Sequence, residues 1–277
     1  MRIATWNVNS LKARMERVEE WLTGKAPDVL LMQETKLADE AAPAMPFSMA
    51  GYDLLHHGEG RWNGVAIASR AGISDIVTNF GDGPVRRSPG PEAIAEAVEA
   101  EASEASADEA RMVSAVCGGV RVVSIYAPNG RALDTPFYRA KLAWFERLAR
   151  WLRETQDPAG PLVIGGDFNV APEDADVCDM ADYVDATHVS APERAAVAAL
   201  RDWGLVDAYR LHHPEPGKFS WWDYRAGNFH KGLGMRIDHL YVTRSVAERC
   251  TAAEIDRDAR KGKLPSDHAP VYIDLED

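Results

Sequence analysis

The run Pro161-Leu162-Val163-Ile164 passes directly into Gly165-Gly166-Asp167-Phe168-Asn169. The apolar run reads as a buried strand, and the two glycines are expected to let the backbone turn tightly where it ends. Asp167 and Asn169 lie two residues apart, so on a continuing extended chain they face the same way. A buried strand that finishes in an acid and an amide needs a use for them, because unpaired buried polar groups are costly. A turn in which Asp and Asn bond their own backbone is the competing reading of this segment alone.

Other strand ends break the tie. Ile3-Ala4-Thr5-Trp6 runs into Asn7-Val8-Asn9, and Val29-Leu30-Leu31-Met32 into Gln33-Glu34-Thr35-Lys36. Val120 to Ile125 runs into Tyr126-Ala127-Pro128-Asn129-Gly130, Asp238 opens a strand through Val242, and Pro265-Ser266-Asp267-His268 precedes the last strand. Strand ends that keep supplying Asn, Glu, Asp and His point to one shared pocket at a sheet edge.

The chain of 277 residues is long enough for one large core, and one domain spanning 1–277 is expected. No apolar run approaches the length of a membrane helix. The first strand pattern starts at Arg2, which leaves no room for a signal peptide. Cys117, Cys178 and Cys250 are far apart and show neither a CxxC pair nor zinc spacing, which fits small core residues in a reducing cytoplasm. A net charge of −12 argues against a generally basic nucleic-acid binder. That charge is uneven, however. Between Asp82 and Glu109 eight acids stand against Arg86 and Arg87, which accounts for −6, half the total. A locally basic groove therefore remains compatible with the acidic whole.

Helical spacing predicts helices over about Arg14–Thr23, with Gly24 as its stop, over Pro136–Thr155, and over Pro192–Trp203. Short strands lie between them without strict alternation, which predicts α+β layers rather than a doubly wound parallel sheet. Residues 81–110 begin in a Gly/Pro-rich stretch and continue as an Ala/Glu/Ser tract with little to bury. They read as an acidic surface insertion. His56-His57 and His212-His213 read as solvated loop residues.

Seven segments in order resemble the exonuclease III family of DNA-repair nucleases, within the endonuclease/exonuclease/phosphatase superfamily. They are Trp6 to Arg14, Leu31 to Lys36, Tyr126 to Gly130, Gly165 to Asn169 with Ala171-Pro172, Phe219 to Arg225, Gly234 to Asp238, and Pro265 to Pro270. The Trp221-Trp222-Asp223-Tyr224-Arg225 stretch points to exonuclease III more than to phosphatase relatives. The resemblance implies a four-layer α/β sandwich, two packed mixed β-sheets flanked by helices, with the site at one end of the sheets. It implies a cytoplasmic, monomeric enzyme that cuts double-stranded DNA beside abasic sites, trims 3′ ends and removes 3′ blocking groups. Two rival readings are a phosphodiesterase of phospholipids or inositol phosphates and a DNA-binding protein with a dead site. Ser10, Lys12 and the acidic loop Glu173-Asp174-Ala175-Asp176 depart from the family pattern. That loop leaves the balance of exonuclease and endonuclease activity open.

The residue types suit this chemistry. Phosphodiester cleavage needs a cation on the phosphoryl oxygens, an activated water and stabilisation of the leaving oxygen. Glu34 and the amide oxygen of Asn7 are hard ligands suited to Mg²⁺, with Mn²⁺ as a substitute, and the resemblance adds Asp267. The candidate metal set is Asn7, Glu34, Asp167, Asn169, Asp267 and His268. The candidate catalytic set is Tyr126, Asp167, Asn169, Asp238 and His268. Asp167 and His268 are both candidates for the base, Asn169 orients water or phosphate, and Asp238 is expected to hold one ring nitrogen of His268. The hydroxyl of Tyr126 suits a phosphate or the leaving oxygen. Lys36, Asn129 and Arg131 are expected on the DNA backbone. Of the adjacent aromatics, Trp222 is expected to face the groove and Trp221 the core.

Overall fold

A computed structural model describes residues 1–81 and 109–276. The acidic insertion expected at 81–110 lies almost wholly outside the described residues. Its last position differs from that reading: Ala110 is buried, and its carbonyl accepts from Gly64 N.

Two six-stranded sheets form the centre of the fold. The first has the order β11 (Cys250–Ile255), β12 (Val271–Leu275), β1 (Arg2–Asn7), β2 (Val29–Gln33), β4 (Val65–Ser69), β3 (Asp53–His57). The second has the order β5 (Ser74–Thr78), β6 (Met112–Cys117), β7 (Val120–Tyr126), β8 (Leu162–Asp167), β10 (Asp238–Thr243), β9 (Leu205–Asp207). Both are mixed: β1–β2 and β7–β8 run parallel, and their neighbours antiparallel.

The continuous apolar runs exist because both faces of each sheet are covered. Ile3, Val29, Leu31, Val65 and Ile67 point inward and meet Val113, Val122, Val163, Leu240 and Val242 of the other sheet. Alternate residues Ala4, Trp6, Leu30, Met32 and Ala66 point outward onto helix α1 (Leu11–Lys25) through Val18, Trp21 and Leu22. On the far side, Val123, Ile125, Ile164 and Tyr241 pack against Trp144, Phe145, Leu148 and Leu152 of the long helix Pro136–Thr155, and Val197 and Leu200 of Ala191–Trp203 join them. Taken in chain order, Ala44–Met49 is α2, Pro136–Thr155 is α3, and Ala191–Trp203 is α4.

Helix α3 matches the expected span and is capped by the Thr135 side chain accepting from Tyr138 N. Helix α4 starts one residue earlier than expected, behind a Ser190/Glu193 capping box. Helix α1 begins at Leu11 and passes Gly24, ending instead at Lys25, where Ala26, with φ of 48°, supplies the left-handed cap.

The two glycines after Ile164 do not turn the chain. Both lie inside β8. A Cβ on Gly166 would stand 1.9 Å from the carbonyl oxygen of Ile125, and one on Gly165 within 2.7 Å of side-chain atoms of Leu240 and Leu31. Glycine is needed here for close approach within and between the sheets. The chain leaves extended geometry later, at Asn169, with φ of 52°.

Candidate active site at one end of the sheets

Parallel pairing brings the ends of β1 and β2 together, and likewise the ends of β7 and β8. Asn7 pairs with Gln33, one residue before Glu34. Tyr126 pairs with Asp167, and Asp167 with Asp238 across β10. Inward-facing positions on both sheets thereby converge at one end. Beneath them Gln33 Nε2 donates to Thr5 Oγ1 and to Ser124 Oγ, both at 3.0 Å, so a buried amide bridges the sheets.

Ligand atoms of Glu34, Asp167 and His268 lie within 4.8 Å of one another, a group able to hold a metal ion. Glu34 keeps 17 % of its side chain exposed, which leaves the group open at this edge. Its φ of 51°, with Asn9 at 45°, Lys36 at 54° and Asn169 at 52°, shows backbone strain gathered at the strand ends.

Asp238 and His268 pair as expected: His268 Nδ1 donates to Asp238 Oδ2 at 2.8 Å, and its Nε2 lies 3.8 Å from Asp167 Oδ2. Ser220, not anticipated from sequence, fixes Asp238. Its hydroxyl donates to Asp238 Oδ2 at 2.6 Å and accepts from the backbone N–H groups of Ile237 and Asp238. Burial opposes charge on the imidazole, yet the carboxylates of Asp238 and Asp167 outweigh it and push His268 up to about 10. Burial, reinforced by Asp238 and Glu34, raises Asp167 to about 7 although His268 pulls the other way. Burial first and the Glu34 charge second drive the phenol of Tyr126 well above its ordinary value.

Asn7 departs from its expected role. Its amide oxygen accepts from Asn9 N at 3.0 Å, a bond only an oxygen can take, so its Nδ2 faces the acids. That nitrogen donates to Glu34 Oε1 and Asp167 Oδ2, both at 2.9 Å. Asn7 therefore spaces and satisfies the carboxylates, and its oxygen is turned away from a metal. Asp267 stands beside the compact group, its oxygens accepting from Asn9 Nδ2 at 2.9 Å and Trp221 Nε1 at 3.1 Å.

The tryptophan pair is reversed from expectation. Trp222 is 1 % exposed and packs with Phe219 and Ala269, its ring meeting Phe229 edge-on at 5.2 Å. Trp221 instead lies half-buried at the site, bridged to His268 and to Met235. One of the two does face the site, but an irregular segment crossed by isolated bridges sets the phase, and periodicity alone could not read it. His56 also departs: with 4 % of its side chain exposed, it is bonded to Thr35 Oγ1 and Asp39 Oδ1. His213 stacks on Tyr209 and reaches Ala253 O.

Of the expected backbone contacts, Lys36 Nζ pairs with Glu34 Oε2 at 2.8 Å and donates to Asn9 Oδ1 at 2.6 Å. Asn129 is exposed and donates to Asn169 Oδ1 at 3.2 Å. Arg131 is exposed and lies over the Phe137 ring, 3.6 Å from its centroid. Sequence reasoning missed Asn9, Ser220 and Trp221. Asn9 had a signal, its place two residues after Asn7 in an Asn-Val-Asn run.

A dense constellation of carboxylates and one charged imidazole, where two mixed sheets end together, defines a class. The chain belongs to the endonuclease/exonuclease/phosphatase family, whose profile matches residues 4–268. Within that class its relatives are of the exonuclease III kind. It is 32 % identical over 284 residues to exodeoxyribonuclease III of Haemophilus influenzae, covering 99 % of this chain and 100 % of that protein. An AP endonuclease structure from Archaeoglobus fulgidus superposes with a TM-score of 0.89 at 33 % identity, covering 100 % of this chain and 99 % of the other. A 3′-5′ exonuclease from Neisseria meningitidis superposes with a TM-score of 0.88 at 36 % identity, with both chains covered fully.

Proposed function

We infer that this chain is a metal-dependent DNA-repair nuclease that hydrolyses phosphodiester bonds in duplex DNA, at 3′ ends and beside abasic sites. The observation that carries this reading is the Glu34–Asp167–His268 group with Asp238 behind it. It combines a metal-holding carboxylate, a base poised near neutral pH and a fixed cation within 4.8 Å. Glu34 is the residue that would hold Mg²⁺, with the Asp167 carboxylate beside it in the same group; oxygen donors of this kind suit a hard cation. When bound, that ion draws charge from the phosphoryl oxygens.

The side chains supply the rest. Asp167, raised to about 7, accepts the proton of the attacking water. His268, held charged by Asp238, faces the phosphoryl oxygens as a cation. Asn169 and Asn129 present amides to the phosphate. Tyr126 stays protonated and can donate to the leaving oxygen. Lys36 and Arg131 meet the DNA backbone, and Trp221 takes the position at the groove that Trp222 does not. On this reading the protein acts as a single-domain monomer in the cytoplasm. Among the described residues no helix is long and apolar enough to cross a membrane.

The test is a substrate panel in Mg²⁺: 3′-recessed duplex, 3′-phosphate duplex, abasic duplex, an inositol phosphate and a phospholipid. Turnover confined to the three DNAs is expected. Faster turnover of either small phosphoester would replace this reading with that of a lipid or inositol phosphatase.

A further inference from the structure

Lys141, on α3, carries a charge at a place with no exposure at all. A buried ammonium is expensive unless paired and fully bonded. Its partner is Glu193 of α4, equally buried. An ion pair between two helices would explain both residues if the pair were all there was. The ammonium does more. It donates to the carbonyl of Asn169 at 2.6 Å and to the carbonyl of Asn129 at 3.3 Å, with Thr187 Oγ1 at 3.5 Å. One buried cation thus holds the main chain of both asparagines assigned to the site.

The surrounding bonds converge on the same two residues. His188 Nδ1 donates to the carbonyl of Asn169 at 2.5 Å, and Thr187 Oγ1 lies 3.2 Å from that of Asn129. Glu193 in turn accepts from Thr187 Oγ1 and His188 N, which ties the 187–188 loop to the brace. With its carbonyl held, Asn169 keeps every polar atom fixed: its N–H donates to Asp167 Oδ1, its Nδ2 to Ala127 O, and its Oδ1 accepts from Asn129. The left-handed φ of Asn169 needs such support, because a non-glycine residue holds that conformation only when its surroundings impose it. Gly130 makes room for the brace: its φ is +83°, and a Cβ there would lie 3.0 Å from Lys141 Cδ and 3.1 Å from Thr187 Oγ1.

We propose that Lys141 is a positioning residue for the nuclease site, holding the carbonyls of Asn129 and Asn169 so that their amides stand in register with Asp167. The proposal rests on the reading of Asn169 as part of the site. It predicts a defect in turnover at constant fold, since a misplacement near 1 Å can cost ~10²-fold in rate.

The test compares four full-length proteins on a 3′-recessed duplex in Mg²⁺: wild type, Asn169→Ala, Glu193→Gln and the double variant Lys141→Met/Glu193→Gln. The double variant removes both charges together, which leaves no lone buried ion. Its kcat should fall ~10- to 100-fold while KM stays within ~3-fold and thermal unfolding remains cooperative at an assay temperature of 25 °C. Glu193→Gln keeps the ammonium on both carbonyls and should lose less than the double variant. A folded double variant with kcat within ~3-fold of wild type, or one whose only change is in KM, overturns the proposal. A double variant unfolded at the assay temperature also overturns it, because the pair would then serve stability. Asn169→Ala with wild-type kcat would instead remove Asn169 from the site, a separate failure of the reading beneath.

Discussion

Replacing Asp238 by Asn removes one negative charge 2.8 Å from His268 Nδ1 and nearly nothing else in volume. The imidazole stands at about 10 against an ordinary 6.5. At ~1.4 kcal/mol per pKa unit, that is a preference for imidazolium on the order of 5 kcal/mol. Asp238 is the foremost of the carboxylates responsible, ahead of Asp167. If it supplies half, the variant loses roughly 2–3 kcal/mol of that preference, or about two pKa units, so the loss in kcat should appear at alkaline pH, where the ring has discharged. The pH profile gives the sharper test. In the wild type the ring stays charged across neutrality, so activity should hold until pH approaches 10. In Asp238→Asn the alkaline fall should move down toward neutrality. Stability follows the same sign. A raised folded pKa stabilises fully below 6.5 and loses that contribution as pH rises through about 10, so the gap in melting temperature between the two proteins should be widest in acid. The assay is kcat on a 3′-recessed duplex from pH 6 to 10 at fixed Mg²⁺, with melting curves alongside. An unchanged alkaline limb in a folded variant would refute the reasoning.

Other sites give further outcomes. Glu34→Ala should lose ~10²-fold in activity, partly recovered at higher Mg²⁺, and a titration showing unchanged Mg²⁺ dependence would contradict its role. Trp222→Ala should cost ~3–5 kcal/mol of stability in chemical denaturation, as for a buried aromatic. Trp221→Phe, which forfeits the N–H bond to Asp267 and part of a half-buried ring, should cost less, roughly 1–2 kcal/mol; a loss as large as that of Trp222→Ala would contradict the assignment. Gly166→Ala should lose ~3 kcal/mol or more, because its Cβ would meet the main chain of Ile125, and a melting temperature near wild type would show that β7 can yield.

The legible parts of the fold were those where one local rule had no competitor. Strands buried on both faces betray themselves as unbroken apolar runs, and α3 announces itself through Thr135, Pro136 and an apolar stripe. Asp167, Asp238, His268 and Glu34 were legible because acids and histidine at the ends of such runs have few structural uses. Gly165 and Gly166 were misjudged because their reason lies on other strands. What forbids a side chain is the carbonyl of Ile125 and the side chains of Leu31 and Leu240, far away in sequence. The orientation of the Asn7 amide depends on one backbone N–H two residues on, which residue type does not reveal. Trp221 and Trp222 sit in an irregular stretch, where period-2 reasoning gives the alternation without its phase. In the sequence Lys141 is one polar residue within the pattern of α3. Its meaning depends on loops around 129, 169 and 187 meeting at its tip, which is a property of the tertiary fold alone.

The central claim is that Asp167 and a divalent cation together cut DNA at this site. Single-turnover cleavage of a 3′-recessed duplex by wild type and Asp167→Asn, each with Mg²⁺ and with EDTA, tests it most directly, with DNA affinity measured in parallel. The account predicts cutting by the wild type only with the cation. It also predicts a variant that binds within a few-fold of wild type yet cuts ~10³-fold more slowly, the scale of loss when a proton-transfer group is removed. Cutting by the wild type in EDTA, or an Asp167→Asn variant as fast as wild type, would contradict it.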